Sequence, residues 1–152
     1  MSLLEITSQS QRIDDLFIKA KTLDPEVQSH WSRYLCVLIS GFLENAVRLT
    51  FSEYTRSRAD ATVATFVDRK LQDFQNPRMN LILDMAGFFN DDWKKALKIQ
   101  TEGQLETSVN SIVLNRHQIV HGKSIPLTLH NLIQYYADAV KVVGLLRQQC
   151  GL

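Results

Sequence analysis

The sequence predicts an all-α fold, an antiparallel helical bundle of four to five main helices plus shorter ones, on three observations. Apolar residues recur at helical spacing through nearly every segment. Only six glycines and three prolines punctuate 152 residues, and Pro25, Pro77 and Pro126 stand far apart, leaving long stretches free to be helix. No β-type alternation bounded by turn signals competes with that pattern.

The first helix is expected over Leu3 to Lys21, with Leu4, Ile13, Leu16, Phe17 and Ala20 on its apolar face. Asp24-Pro25-Glu26 is a helix-start signal: proline suits the first turn, and an acid there complements the helix dipole. A long helix should follow from about Glu26 to Arg56. Its stripe of Trp31, Tyr34, Leu35, Leu38, Phe42, Ala46, Leu49 and Phe51 is widened by Val37, Ile39 and Leu43. That is more apolar surface than one wet face carries, so this helix is expected at the centre.

Asp60 can cap a third helix through about Phe74, using Val63, Phe66, Val67, Leu71 and Phe74, and Asn76-Pro77 breaks it. Shorter helices are expected over Arg78 to Phe88 (Leu81, Ile82, Met85) and Asp91 to Ile99 (Trp93, Leu97). Glu102 to His121 reads as a full helix with Leu105, Val109, Ile112, Val113 and Ile119 inward, Gly122 as its C-terminal cap and Pro126 delaying the next. Thr128 can cap the last helix, whose inward residues are Leu132, Ile133, Tyr136, Val140, Val143 and Leu146. There is no internal repeat, low-complexity tract or linker, and one domain over residues 1–152 is expected.

Composition narrows the function. The 17 basic and 16 acidic residues give a formal charge of +1, so nucleic acid would have to be held by a local patch or a shared groove. Cys36 lies in an apolar run and reads as core, whereas Cys150, near the C-terminus, is expected to be exposed. Two cysteines make neither a disulfide framework nor a zinc set, and they suit a reducing cytoplasm. The start Met1-Ser2-Leu3-Leu4-Glu5 soon turns polar, unlike a signal peptide, and the run Tyr34 to Leu43 is too short to cross a bilayer. A cytoplasmic protein away from the membrane is expected.

Of the four histidines, His117 and His121 fall beside Arg116, while His30 and His130 read as ordinary surface or interface residues. Arg116 and His121 project about 140° apart on an ideal helix, so convergence within one chain needs a fray or turn near His121, and Gly122 supplies a reason for one. The pair suits cleavage of RNA without a cofactor. A histidine can move the proton of a ribose 2′-hydroxyl, and the planar arginine fork can stabilise the crowded phosphate. His117 shares a face with His121 and can position phosphate or carry the second proton. The bland alternative is a chance spacing. A metal pair at His117 and His121 is a further alternative, but it lacks an evident third ligand.

The string Arg116-His117-Gln118-Ile119-Val120-His121-Gly122, late in an all-α chain and followed by one more amphipathic helix, resembles the signature of the HEPN superfamily. That signature is an Arg, then a polar residue, then a His four to six positions after the Arg, often followed by Gly. His117 fills the polar slot, where Asn is commoner. Trp31 to Asn45, reading Trp-Ser-Arg-Tyr-Leu-Cys-Val-Leu-Ile-Ser-Gly-Phe-Leu-Glu-Asn, looks like the long second helix of the RiboL-PSP-HEPN subgroup. The resemblance covers about Ser29 to Leu146. It implies a homodimer with two motifs facing across a groove and a metal-independent endoribonuclease acting on RNA in toxin–antitoxin or anti-phage systems. An antitoxin or neighbouring-gene product is the implied protein partner. The alternative is a non-catalytic helical module that keeps the fold and binds a protein or nucleotide. Arg116, His117 and His121 are the catalytic candidates, with Asn115, Glu44 and Arg48 supporting them.

Glu44 lies on a stripe of the long helix with Val37, Gly41 and Arg48, where Gly41 would permit close helix approach. An acid among so many apolar neighbours needs a partner. Arg48, one turn on, is the favoured one; the sharper reading, implied by the resemblance, has Glu44 orient Arg116 or a motif histidine. Arg33, Arg48 and Arg56 either add phosphate contacts along a groove or form a solvated face.

Overall fold

The computed structural model describes residues 2–152, which form seven helices and, among the described residues, no strand. They are α1 (Ser2–Ala20), α2 (Pro25–Arg58), α3 (Ala61–Leu71), α4 (Met79–Phe89), α5 (Asp91–Thr101), α6 (Gln104–Val120) and α7 (Leu129–Gln149). The all-α expectation holds, and every expected helix is present.

α2 is the hub, packing against α1, α3, α6 and α7, while the α4–α5 pair closes against α6 and α7. Its Leu35, Cys36, Ile39, Leu43, Ala46, Val47 and Phe51 are fully buried. Three buried hydroxyls on α2 are satisfied within the helix: Ser32 donates to the Gln28 carbonyl (2.8 Å), Thr50 to Ala46 (2.7 Å) and Thr55 to Phe51 (2.8 Å). By length and composition α2 alone among the described helices passes the test for crossing a membrane, but 61% of its most apolar window is covered by the rest of the fold. Phe51 stacks on Phe89 of α4 at 4.7 Å, and Tyr54 meets Trp93 of α5 edge-on at 5.1 Å, so aromatic contacts join the short helices to the hub.

Caps set the boundaries. The side chains of Asp60, Asn90 and Thr128 accept N–H groups at the starts of α3, α5 and α7. Asp24 precedes Pro25 as anticipated but makes no side-chain cap bond. α6 begins at Gln104, because Gly103 turns the chain at φ +89° and leaves Glu102 to close α5.

Several expectations need correction. α3 stops at Leu71, since the chain tightens there into Asp73 N–H to Lys70 and Phe74 N–H to Leu71 bonds. α3 packs mainly on α2, so Val63 and Phe66 stay exposed while Ala64 and Leu71 face inward. Leu4, Leu81 and Val140 are likewise exposed. Cys150 is buried, contrary to expectation: it caps α7 inside the core, and burial pushes its thiol up to about 11. A methyl group at Gly41 would meet no atom within 4 Å, so no helix approaches closely there; Gly41 borders a notch between α1 and α2.

Candidate active site

α6 carries the Arg116 segment, and its orientation is fixed from three sides. Toward α2, the Cys36 thiol lies 3.6 Å from the Ile112 carbonyl. Toward α4, Asn110 accepts the Met79 N–H at 2.9 Å. Toward α7, the buried Asp138 carboxylate accepts from Ser108 (2.6 Å), Gln104 (3.1 Å) and Gln134 (3.1 Å). Burial raises the Asp138 carboxyl, but those hydrogen bonds and the Lys141 charge outweigh it and hold the group below its ordinary range.

The end of α6 is sharply defined. His121 is the C-cap, with φ −90° and ψ 11°, and Gly122 follows at φ +72°. Lys123 N–H reaches back to the Gln118 carbonyl and Gly122 N–H to the Ile119 carbonyl, each at 3.0 Å, the paired bonds of a Schellman cap. Gly122 therefore caps the helix as anticipated, yet the chain turns only after His121. Convergence of Arg116 and His121 within one chain through fraying is not observed. His121 instead stays over His117, their ring centroids 4.4 Å apart with planes at 59°. Both histidines are exposed, and Leu114 and Val120 beside them on α6 are more than half exposed.

Arg116, half-buried, points elsewhere. Its Nη1 donates to Asn76 Oδ1 at 3.1 Å, in the connection between α3 and α4. Asn76 has left-handed backbone, φ +53°, a conformation that asparagine tolerates better than most residues. Three-residue closure by the Arg78 N–H on the Asn76 carbonyl (2.7 Å), across Pro77, completes the turn. The Asn76 N–H donates to Glu44 Oε2 at 3.1 Å, while Glu44 Oε1 pairs with Arg48 at 3.1 Å. Arg48 in turn donates from Nε to the Phe74 carbonyl (3.0 Å) and from Nη2 to the Gln72 carbonyl (3.1 Å), covering carbonyls just past the end of α3.

Glu44 thus has the Arg48 partner favoured from sequence, and it reaches Arg116 only through Asn76. Arg48 is committed to backbone carbonyls and Glu44, whereas Arg56 pairs with Asp68 (3.0 Å) and stays exposed on the surface. Asn115 is half-buried next to Arg116 and takes no part in this chain of hydrogen bonds. His30 and His130 are exposed, away from these bonds. No cluster of three or more His, Cys, Asp or Glu suited to a metal is found among the described residues.

A cleft of about 380 Å³ lies between the Asn76 turn and His117. Asn76, Arg78, Asn80 and His117 line it, with Leu81 and Val113 as apolar lining. Such a mixture of amide, cationic and imidazole groups suits an anionic, hydrogen-bonding ligand. Asn76 and Arg78 are not among the site residues that the sequence points to. Asn76-Pro77 is legible there only as a helix break, although an Asn before Pro also signals a specific turn.

A helical bundle with an Arg-x-x-x-x-His segment at the capped end of its penultimate helix defines a HEPN-type domain. The family model described as RiboL-PSP-HEPN matches residues 3–151, and the chain belongs to that family. No curated protein and no solved structure matches the chain.

Proposed function

We propose that this protein is a metal-independent endoribonuclease acting as a homodimer, with Arg116, His117 and His121 as its catalytic residues. The observation that carries this reading is the exposed His117–His121 pair, rings 4.4 Å apart, one residue from an arginine held in place by Asn76. In the proposed reaction His121 takes the proton of a ribose 2′-hydroxyl, and the 2′-oxygen attacks the adjacent phosphorus. The bond from phosphorus to the 5′-oxygen breaks as His117, in its protonated form, donates to that oxygen. The products are a 2′,3′-cyclic phosphate and a 5′-hydroxyl, and Arg116 stabilises the added charge on the non-bridging oxygens.

One chain does not aim all three groups at one phosphate, because Arg116 and His121 leave α6 in directions about 140° apart. A second copy, facing the first across the exposed ends of α6, would supply the arginine opposite each histidine pair. The exposed Leu114 and Val120 offer apolar surface for that contact. The setting we propose is cytoplasmic toxin–antitoxin or anti-phage defence, with an antitoxin or neighbouring-gene product as the protein partner.

The test is incubation of wild type, Arg116→Ala and His121→Ala proteins with RNA in EDTA. Cleavage by wild type that is lost in both folded variants supports the proposal. Equal cleavage by all three refutes the residue assignment. No cleavage of diverse RNAs, with stable capture of a protein partner, favours the non-catalytic module.

A further inference from the structure

We propose that Asn76 is the positioning residue of Arg116, and that Glu44 acts on the site only by fixing the Asn76 turn. This inference rests on the nuclease reading for its catalytic consequence, but its structural part stands separately. The turn holds a backbone conformation that costs a non-glycine residue energy, φ +53°, immediately before a proline. Such a conformation persists where the surroundings over-determine it. Here Glu44 accepts the N–H at 3.1 Å, the carbonyl accepts from the Arg78 N–H at 2.7 Å, and the side-chain oxygen is left to receive Arg116.

The effect is to fix one guanidinium nitrogen while leaving the other donors of the fork available for phosphate. Asn76 also lines the cleft that His117 lines, so the residue that holds Arg116 and one of the two histidines border a common space. Without the Asn76 oxygen, Arg116 would sample several rotamers, and its loss of orientation would appear in the transition state more than in substrate binding.

Asn76→Gly separates these roles, since glycine keeps the left-handed backbone and the N–H to Glu44 and deletes only the amide. Its kcat for RNA cleavage is expected to fall about 10- to 100-fold, with KM changed by less than about twofold. In an Arg116→Ala background, read by urea denaturation, the same substitution should cost less stability than it does in wild type, because its hydrogen-bond partner is already gone. Full activity of Asn76→Gly, or equal stability losses in both backgrounds, would overturn the proposal.

Side-chain NMR of the wild-type guanidinium provides a readout independent of catalysis. Restricted rotation at Arg116 supports the positioning role, and free rotation contradicts it even if Asn76→Gly fails to fold. A wild type that holds Arg116 rigidly but cleaves no RNA refutes the nuclease reading alone and leaves the positioning role supported.

Discussion

Arg116 and Asn76 are joined by a 3.1 Å hydrogen bond from guanidinium to side-chain oxygen, between residues 40 apart in the chain. The same asparagine gives its N–H to Glu44. A carboxylate on the central helix is therefore connected to the motif arginine through a turn. Glu44→Ala removes the acceptor for the Asn76 N–H and the partner of Arg48 at once. It should destabilise the fold by about 1–2 kcal/mol, read by urea denaturation, and lower cleavage through disorder of Arg116. Unchanged stability and activity would mean that the turn stands without Glu44.

Gly122→Ala tests the cap that places His121. At φ +72° a side chain is strained, although open space surrounds the position. The expected loss is about 1 kcal/mol, with reduced cleavage as His121 moves relative to His117. Denaturation and activity measured together check it; a variant as stable as wild type would show that the cap contributes nothing.

Asp138 makes the packing of α6 on α7 dependent on pH. Its carboxyl titrates below the ordinary 3.8 in the fold, so the unfolded chain binds a proton more readily. Its stabilisation is present above that ordinary value and is lost as pH falls through the folded value. Wild type should exceed Asp138→Asn in stability near neutral pH, and the difference should shrink as acid is added. A gap that stays constant across an acid titration would contradict this assignment.

The proposed shared site predicts complementation between inactive proteins. If Arg116 of one protomer works with the histidines of its partner, a mixed Arg116→Ala and His121→Ala dimer keeps one of its two sites intact. Equal mixing with exchange should restore about a quarter of wild-type activity, from half the dimers carrying one site each. No recovery after demonstrated subunit exchange would place each site within one chain.

The legible parts of this molecule are those governed by local patterns. The apolar run of α2 reads as central because its stripe exceeds one face, and Leu35, Ile39 and Leu43 are indeed fully buried. Asp60, Thr128 and Gly122 announce their caps through well-defined local chemistry. Tertiary contact decides the rest. Phe66 is at helical spacing for burial yet remains exposed, because α3 packs mainly against α2. Cys150 is drawn inward with the last turn of α7. At the candidate site, the string from Arg116 to Gly122 is visible in the sequence, but the direction of Arg116 depends on Asn76, whose nearness no spacing rule encodes.

The chemistry of the RNA ends tests the central claim most directly. Purified wild-type protein in EDTA should cut RNA to leave 2′,3′-cyclic phosphate and 5′-hydroxyl ends, and folded His121→Ala should leave none. Ends bearing 3′-hydroxyl and 5′-phosphate, or identical cyclic-phosphate yields from both proteins, would contradict an Arg116, His117 and His121 ribonuclease.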